Sequence, residues 1–456
     1  MSKTDSKGYI ALLKRNRPFR NLWYGQVVSE LGDWLNSIAI YALILQLTGS
    51  GMAMAAAMMA KLLPFAFISP VAGVVVDRLD RKKVMIVSDL LRFLIVLGFL
   101  FVDEPGELWL VYTLTVLETC LSGFFEPARS AMIPSIIPRK DLVTANALSG
   151  STWSMMLAFG AALGGVVVAL LGTKTAFILD AFTFLISAWF IYKIGEKDPT
   201  EDKESTEIGE SGFKGLMDGL RYLKQNPIIL ALASVKSGLA VTGGIMTLIP
   251  LYANKLLSAP SAISLAIGAM YCSRGIGAAI GPILVTRVFG GSSKILRKAI
   301  GVSFFLSAVF AALLSLTQNL WTTSLTIGMI TFNGSIIWVS SSALIHLEAD
   351  PKFLGRIFST EMGVMTLLMG FSNWAIGYAV DGLGMTPEQI ALRMGALMVI
   401  PGLLWTGFSI SQRNRLKEET CVGSECPVDP SGFNPAPTNP LKSKRHSEEV
   451  SKNQVK

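Results

Sequence analysis

The sequence predicts an all-α integral membrane protein. Of its 456 residues, 51% are hydrophobic and only 16% are charged, whereas a soluble domain carries about 25% charged residues. The apolar residues are gathered into runs of about 20, which is the length of helix that crosses the hydrocarbon core of a bilayer. Composition and run length together favour a chain that crosses a membrane many times.

Twelve apolar runs can be read along the chain, and we expect each to form one membrane-spanning helix. They cover residues 21–47, 51–76, 84–102, 109–128, 142–171, 175–192, 228–253, 262–286, 299–317, 320–345, 357–380 and 390–410. Turn residues at 48–50 and 172–174 separate runs that would otherwise read as one long helix. The longest internal connection follows the sixth run, so two groups of six helices are expected. The predicted organisation is an amino-terminal cytoplasmic segment at 1–20, a six-helix bundle at 21–194, a linker at 195–226, a second six-helix bundle at 227–410 and a disordered cytoplasmic tail at 411–456.

The linker has two parts of different composition. Residues 198–211 are rich in Glu, Lys, Ser and Thr, which is typical of a flexible segment. Residues 212–224 carry apolar side chains at helical spacing, which predicts an amphipathic helix on the inner membrane surface. Its apolar face is formed by Phe213, Leu216, Leu220 and Leu223.

The distribution of lysine and arginine predicts which way the helices run. The formal net charge is +8, but the bases lie in alternate loops between apolar runs, which argues against a nucleic-acid partner. If the amino end is inside, the outer loops hold only Lys174, Lys255 and Arg393. Cytoplasmic loops of membrane proteins carry an excess of lysine and arginine. We therefore expect a multi-pass protein of the cell (inner or plasma) membrane with both termini in the cytoplasm.

Composition also argues against several classes of function. Four cysteines and two histidines are too few for a disulfide framework, a His-rich metal site or a histidine-based catalyst. The sequence has no Gly-x-x-x-x-Gly-Lys-Ser/Thr loop, so nucleotide hydrolysis by this chain is not expected. The amino end lacks the apolar core of a removable signal peptide. We expect no enzyme activity, no cofactor and no metal.

The segment between the second and third runs carries the clearest motif, Gly73-Val-Val-Val-Asp77-Arg78-Leu-Asp-Arg81-Lys82-Lys83. Gly73 has no side chain and permits close approach of another helix. Asp77 can face an arginine or the positive amino end of a helix, in a contact that exists only while the inner side is closed. This arrangement predicts a conformational latch. The bases Lys82 and Lys83 are instead typical of residues that set topology and reach towards the lipid surface.

Polar side chains form a stripe along the first span at steps of three and four residues. They are Gln26, Glu30, Asp33, Ser37 and Tyr41. An ionisable side chain at mid-bilayer costs roughly 3 kcal/mol even on lenient scales, so the stripe is expected to face a wet cavity or a partner helix. The fourth span repeats the arrangement with Thr115, Glu118 and Ser122. Hydrogen bonding between helices is the alternative explanation, and we expect purely structural roles for Asp89, Arg92 and Asp180.

These features resemble the major facilitator superfamily over residues 10–410. The segment 73–83 matches that superfamily's signature between its second and third helices. Shorter pieces resemble the branch that contains macrolide-efflux and enterobactin-exporter proteins. They are Ser29-Glu30-Leu31-Gly32-Asp33, Phe125-Glu126-Pro127-Ala128-Arg129-Ser130-Ala131, Leu142-Val-Thr-Ala145-Asn146-Ala147-Leu148, Ala176-Phe177-Ile-Leu179-Asp180-Ala181-Phe-Thr183-Phe184 and Gly355-Arg356. The resemblance implies two six-helix bundles around a central cavity that opens alternately to either side.

The sequence departs from this family's pattern at three positions. Asp80 stands where the loop signature commonly has glycine, and Ala161 stands where drug exporters often carry proline in the fifth span. The fourth span has Glu118 in place of the buried arginine of well-known drug/proton antiporters. The coupling scheme of those antiporters therefore cannot be carried over unchanged.

The resemblance also implies which residues meet. It places spans one, four, seven and ten around the cavity, so Glu30, Asp33 and Glu118 are expected across from Lys236. Opposite charges can pair across the halves in one state and part in the other. Alternatively, the acids bind protons while Lys236 and Arg274 hold an anionic group of the substrate. Burial disfavours the charged form of a carboxylic acid, which suits proton exchange near neutral pH, and Asp33 is our first candidate for the proton carrier.

Further substrate-binding candidates on the stripe are Gln26, Ser37 and Tyr41. At the inner end of the eleventh span, Arg356 and Glu361 are expected to meet Asp77 or Arg78 when the cytoplasmic gate closes. Gly73 and Arg81 belong to the same predicted gate.

The function indicated is a secondary active transporter that exports a small amphipathic compound, such as a drug, a macrolide or a siderophore-like molecule. Proton antiport and a rocking motion of the two bundles would drive it. The alternatives are an uptake transporter or a lipid flippase of the same fold, and a non-transporting membrane receptor or scaffold. The expected partners are a small-molecule substrate, protons and membrane lipids. We expect no nucleic-acid partner and a monomeric protein.

Overall fold

A computed structural model describes residues 3–195, 221–288, 292–350 and 353–422, with the backbone alone at 3–7, 69–71, 73, 74, 77, 286, 288 and 413–422. Within these residues the structure consists of helices and short connections, without a strand. The helices are α1 (Lys3–Arg15), α2 (Arg17–Thr48), α3 (Gly51–Arg78), α4 (Arg81–Gly98), α5 (Leu108–Ile136), α6 (Leu142–Tyr192), α7 (Pro227–Gly243), α8 (Ile245–Leu256), α9 (Pro260–Val288), α10 (Ser293–Leu314), α11 (Leu320–Glu348), α12 (Leu354–Asp381) and α13 (Pro387–Val422). Three short 3-10 turns lie at Phe99–Phe101, Pro105–Glu107 and Arg139–Asp141.

Helix α6 consists of two helical arms, each of which contains one of the predicted spans. Gly172 lies inside it with φ 84° and ψ 168°, a backbone conformation open to glycine because it has no Cβ. The chain bends there into a first arm, 142–171, and a second arm, 173–192. Eleven segments in the described ranges are long and apolar enough to cross a membrane. Because α6 supplies two crossings, the predicted all-α membrane fold with twelve spans is confirmed.

Short polar residues set the starts of three helices. The side chains of Asn16, Ser50 and Asp80 accept hydrogen bonds from the free backbone N–H groups of the first turns of α2, α3 and α4. Such caps stabilise a helix start by about 1 kcal/mol. Asp80 Oδ1 accepts from the backbone nitrogens of Lys82 at 2.9 Å and Lys83 at 3.2 Å. The presence of the acidic residue Asp80 in this basic loop is therefore explained by its role as the cap of α4.

Small residues bring helices together within each half. In the first half, α2 lies along α6, and a Cβ added at Gly32 would clash with the side chains of Asp180 and Thr183. In the second half, α9 lies along α11, and a Cβ at Gly277 would clash with the backbone of Gly328. Without water to drive association, close packing of backbones is what holds membrane helices together.

The two ends of the bundle are named here by their loops. The gate-loop end carries residues 79–80 between α3 and α4, and the far end carries residues 49–50 between α2 and α3. At the far end, the Asp381 carboxylate at the end of α12 accepts three hydrogen bonds from the start of α3. The donors are Ser50 Oγ at 2.5 Å, Gly51 N at 2.9 Å and Met52 N at 2.8 Å. This contact joins the first half to the second.

The same two helices stay close towards the middle of the membrane. A Cβ added at Gly377 of α12 would lie 2.7 Å from Ala55 Cβ of α3, and one at Gly370 would lie 2.8 Å from a methyl carbon of Leu63. All of these residues lie within one compact unit, Met1–Phe408.

A second pair of helices closes the far end in the same way. A Cβ added at Gly165, in the first arm of α6, would lie 2.8 Å from Ser264 O of α9. The contact between α6 and α9 continues along both helices to Gly275, where an added Cβ would lie 2.6 Å from Ala158 Cα. The two halves are therefore in contact from the far end to the middle of the spans.

The ends of the chain differ in detail from the predicted organisation. Residues 3–15 form α1, and α13 continues to Val422, past the predicted end of the last span at 410. Most of the predicted amphipathic helix lies outside the described residues. Of its apolar face, Leu223 is described and is buried, while the neighbouring Tyr222 stacks on Phe353 with ring centroids 4.2 Å apart. The predicted disordered tail beyond 422 also lies outside the described residues.

Candidate functional site

An arginine on α4 is the centre of a cluster of charges in the first half. Arg92 Nη2 lies 2.5 Å from Asp33 Oδ1 on α2 and 3.8 Å from Glu118 Oε1 on α5. Arg92 Nη1 lies 3.9 Å from Asp89 Oδ1, one turn earlier on α4. The guanidinium also lies 4.0 Å from the ring centroid of Phe184. The predicted structural pair Asp89–Arg92 is thus part of a larger group that includes two of the predicted proton carriers.

Hydrogen bonds and close packing fix this cluster. Asn36 Nδ2 donates to Glu118 Oε2 at 2.8 Å. Asp180 on α6 acts electrostatically on Arg92 and accepts from Thr183 Oγ1 at 3.2 Å. Four carboxylates therefore surround one arginine, and several of their oxygens, including both of Asp89, are buried without a hydrogen-bond partner among the described atoms.

Asp33 differs from its neighbours in exposure. Its side chain is 37% exposed, whereas those of Arg92 and Glu118 are 3% and 8% exposed. A carboxylate in the middle of a span is costly against lipid, so its exposed side faces an aqueous space inside the bundle. The contacts between the halves, such as Tyr41 against Tyr271 and Gly165 against Ser264, lie on the far-end side of this level. Asp33 is thus the most exposed member of the charged cluster around Arg92.

The first residues of the polar stripe belong to a second network. Gln26 Nε2 donates to Glu30 Oε1 at 2.8 Å and to Ser149 O at 3.2 Å. Arg129 on α5 donates to Gln26 Oε1 at 2.9 Å and to Glu126 Oε2 at 2.7 Å. Glu30 and Asp33 thus lie on one helix face but have different basic neighbours.

The last residues of the stripe lie against a lysine and an aromatic group. Lys61 Nζ on α3 donates to Ser37 Oγ at 2.5 Å, and that hydroxyl donates to Asp33 O at 2.6 Å. Tyr41 stacks on Tyr271 of α9, with ring centroids 5.8 Å apart. Trp34 lies 5.5 Å from the same ring. These three rings join the first half to the second just beyond the level of Asp33.

Arg274 lies one turn from Tyr271 on α9, on the gate-loop side of that ring. It is partly buried, and its guanidinium carbon lies 5.8 Å from the Tyr271 ring centroid. Within the described ranges it forms no ion pair with a carboxylate. It is therefore the predicted substrate-binding residue whose charge is least compensated by the protein.

Lys236 does not face the acids of the first half. Its Nζ lies 2.8 Å from Glu361 Oε2 on α12, and both side chains are buried. The ammonium group also lies 4.5 Å from the ring centroid of Trp338 and 5.2 Å from that of Phe358. The pairing of Lys236 with Glu30, Asp33 or Glu118 that the family arrangement implies does not occur in this structure. The physical reason is a nearer acid within the same half.

The predicted gate residues are spread over the gate-loop end. Gly73 and Asp77 lie on α3, but the side chain of Asp77 and its predicted latch fall outside the described atoms. Arg78 is exposed, and Arg81 Nη1 donates to Ala131 O of α5 at 2.9 Å. Arg356 lies 5.6 Å from the ring centroid of Phe353. Glu361 is with Lys236 and not with Arg78.

Sequence reasoning missed the central place of Arg92, for which a signal was present. A base in the middle of an apolar run, three residues after Asp89, needs more than one acid to be stable there. Asn36 and Thr183 gave no signal, because neutral polar residues are common on buried helix faces. In the described ranges, no group of three or more His, Cys, Asp or Glu side chains could hold a metal ion.

The twelve-span fold and the charges at mid-membrane together define a transporter of the major facilitator type. The family model described as transmembrane secretion effector matches residues 10–415, so the chain belongs to that family. The protein is a multi-pass membrane transporter of small molecules and not an enzyme.

Two relatives illustrate the similarity. The chain is 29% identical to the MFS-type transporter YfiS of Bacillus subtilis (strain 168) over 220 residues, which span 48% of this chain and 52% of YfiS. It is 25% identical to macrolide efflux protein A of Streptococcus pyogenes over 373 residues, which span 77% of this chain and 86% of that protein. The match to YfiS thus covers about half of that relative, whereas the match to the efflux protein covers most of it.

Solved structures share the fold. The crystal structure of the POT family transporter PepTSo superposes with a TM-score of 0.67 at 10% identity, covering 87% of this chain and 98% of that one. The structure of a bacterial homologue of the human lysosomal transporter Spinster gives a TM-score of 0.65 at 13% identity, covering 86% and 96%. At these identities the likeness concerns the fold alone.

Proposed function

We propose that the protein is a secondary active transporter that exports a small amphipathic compound in exchange for protons. The observation that carries this proposal is Asp33, a partly exposed carboxylate at mid-membrane that is also paired with a buried arginine. When such a group gains or loses a proton, its attraction to the arginine changes, and the packing of the helices that carry the two residues changes with it. The name of the relative macrolide efflux protein A supports export as the direction.

The proton step acts through Arg92. A proton on Asp33 removes the negative charge that lies 2.5 Å from Arg92. The guanidinium then has Glu118 and Asp89, at 3.8 and 3.9 Å, as its remaining partners. Because Asp33, Arg92 and Glu118 lie on three different helices, a change of pairing alters the fit of α2, α4 and α5. A cationic group of the substrate at Asp33 would compete with the proton, which is what antiport requires.

Alternating access follows from the contacts between the halves. The far end is closed by α3 against α12 and by the first arm of α6 against α9, while Asp33 is reached from the gate-loop end. If the gate-loop end is cytoplasmic, as the distribution of lysine and arginine predicts, the structure is the state that receives substrate from inside. The other state would break the far-end contacts and close the gate-loop end, where Asp77, Arg78 and Arg356 are the proposed gate residues.

The test is transport against an imposed pH gradient. A growth screen with and without the gene, across macrolides, other antibiotics and siderophores, supplies a transported compound. Its efflux from loaded cells or vesicles is then measured as the pH gradient is varied. We expect the efflux rate of the wild type to follow the pH gradient. Asp33→Asn should abolish that dependence, because an amide does not bind a proton near neutral pH.

Asp103→Asn is the matched control. It removes the same charge from an exposed loop, where Asp103 pairs with Lys174, and it should leave the gradient dependence unchanged. Efflux that is indifferent to the gradient in the wild type, with Asp33→Asn fully active, would overturn the proposed coupling.

A further inference from the structure

Most of the bases inside the spans are compensated by the protein itself. A carboxylate oxygen lies within 4 Å of Arg92, Arg129, Lys236 and Arg297. Lys61 forms no such pair, but it acts electrostatically on Asp33 and Glu118. Arg274 is different, because in the described part of the chain no carboxylate pairs with it or acts on it. A guanidinium deep in a membrane protein is costly unless something neutralises it.

The surroundings of Arg274 leave its hydrogen-bonding edge available. Its described contact is with the face of Tyr271, and a cation over a ring uses its charge but not its N–H donors. Guanidinium presents those donors as a planar fork that matches both oxygens of a carboxylate. Tyr271 itself is held in place, because its hydroxyl donates to Met246 O at 3.3 Å and its ring contacts Tyr41 and Trp34.

The position of Arg274 is that of a ligand-binding residue. It lies at the level of the close approach of α9 to α6 at Gly275 against Ala158. It is also one turn on the gate-loop side of the Tyr41–Tyr271 stack. A solute that entered from the gate-loop end would therefore meet the partly exposed side chains of Trp34 and Arg274, with Tyr41 and Tyr271 buried behind them.

We propose that Arg274 binds a carboxylate of the transported molecule, and that this molecule is an amphipathic zwitterion whose ammonium group lies towards Asp33. This inference rests on the proposed function and narrows its substrate class. The apolar body of the molecule packs on the partly exposed ring of Trp34, which lies against the buried rings of Tyr41 and Tyr271. Trp34 follows Asp33 in sequence and contacts Tyr271, whose ring lies 5.8 Å from the Arg274 guanidinium carbon.

Antiport gives a separate reason for two charges. A purely anionic substrate would be attracted more strongly when Asp33 carries a proton, so proton and substrate would travel together. An ammonium group at Asp33 reverses this relation, because it and the proton compete for one carboxylate. The substrate carboxylate bound to Arg274 then adds to the binding affinity, but it does not compete with the proton for Asp33.

Three matched probes test the charges one at a time. They are the dipeptide leucyl-phenylalanine, its carboxy-terminal amide and its amino-terminally acetylated form, each titrated against the thermal stability of the purified full-length protein in detergent. We expect the zwitterion to stabilise the wild type at concentrations about ten- to a hundred-fold lower than either derivative, which is the range expected for loss of a charged hydrogen bond.

Variants of Arg274 separate binding from folding. Arg274→Gln should bind the zwitterion and the amide equally, and Arg274→Lys should keep part of the preference because it keeps the charge. Lys294→Gln, which removes the same charge at an exposed position, should behave as the wild type. Equal stabilisation of the wild type by zwitterion and amide, no stabilisation by any of the three, or a preference that survives in Arg274→Gln would each overturn the inference.

The proposed function can fail separately. If the zwitterion binds through Arg274 but its efflux from vesicles ignores the pH gradient, the coupling through Asp33 is wrong and the carboxylate site stands. If efflux follows the gradient for compounds without a carboxylate and Arg274→Gln exports them normally, the coupling stands and the substrate class is wrong.

Discussion

At Asp80 the chain has a carboxylate where the loop signature of related transporters commonly has glycine. The structure shows it as the cap of α4. We expect Asp80→Ala to destabilise the start of α4 by about 1 kcal/mol and Asp80→Gly by only a few tenths, because glycine leaves the helix end open to water. Asp80→Asn should be close to the wild type.

Hydrogen exchange at the first turn of α4 is the measurement, since it reports on the local structure more directly than a global melting temperature. Lys83→Ala, which keeps the cap but removes a charge from the same loop, is the control. If the first turn of α4 is protected from hydrogen exchange equally well in Asp80→Ala and Asp80→Gly, the role of Asp80 is its charge and not its capping of the helix.

At the same scale, the sequence predicted the identity of several site residues better than their partners. The steps of three and four along α2 placed Gln26, Glu30, Asp33 and Ser37 on one face, and the structure gives each a polar neighbour. The partner of Lys236 was not predictable, because periodicity says which face a residue is on but not which helix it meets. Glu361 was expected at the gate for the same reason and lies with Lys236.

Among the elements, α3 and α12 are joined by the most directional contact between the halves. The Asp381 carboxylate accepts from two backbone N–H groups at the start of α3, where the helix dipole also favours a negative charge. In the proposed alternating-access cycle α3 and α12 separate when the far end opens, so this contact would stabilise only the closed far end. Asp381→Asn should weaken it by about 1 kcal/mol, which shifts the balance between states roughly five-fold towards the open far end.

The shift can be read from the labelling rate of a cysteine placed in the closed contact. Ala55 is fully buried there, so Ala55→Cys should react with a membrane-impermeant maleimide only when the far end opens. Asp381→Asn should raise that rate about five-fold. Glu388→Gln is the matched control, because Glu388 lies at the same end but pairs with Lys255 in its own half. Equal rates in the two variants would contradict the assignment.

The apolar runs predicted where the helices lie better than where some of them end. Ten of the twelve runs lie in a helix or in the pair α7 and α8, which is broken at Gly244 alone, whereas the runs 84–102 and 299–317 extend past the ends of α4 and α10. The break at Gly172 was predicted from the turn residues 172–174 and is confirmed by its non-helical backbone. A single residue with positive φ can reverse the direction of a chain without interrupting the hydrogen bonds on either side for long.

For the whole molecule, the fold was predictable and the conformational state was not. Composition, run length and the segment 73–83 suffice for the major facilitator fold, because those features are common to every state of the transporter. Which end is closed depends on contacts such as Gly165 against Ser264 and Gly377 against Ala55. These contacts differ between states by small free energies that leave no trace in periodicity or charge pattern.

Alternating access as a property of the whole molecule can be tested by fixing the far end shut. A Cβ added at Gly51 would lie 2.8 Å from Val380 Cβ, so Gly51→Cys and Val380→Cys can be joined after a small shift, since disulfides hold Cβ atoms about 3.8 Å apart. In a variant without the native cysteines, we expect oxidation to stop transport and a reductant to restore it.

A second pair provides the control for this cross-link. Asp103→Cys and Lys174→Cys replace an ion pair at the far end that lies within one half. A short thiol-reactive linker between them should leave transport unchanged. Full activity of the oxidised 51–380 pair would show that α3 and α12 need not separate.

The far-end contact of Asp381 also decides where the protein can be altered for topology mapping. An epitope inserted at Gly49–Ser50 would displace the start of α3 from Asp381. Antibody binding to such an epitope would then reflect a disturbed structure and not the side of the membrane on which the loop lies. The loop at 103–107 carries no contact between the halves, and Gly106 has open space around it. An epitope placed at Gly106 should therefore leave the transporter working, and its accessibility to antibody in intact cells would tell which side of the membrane the far end faces.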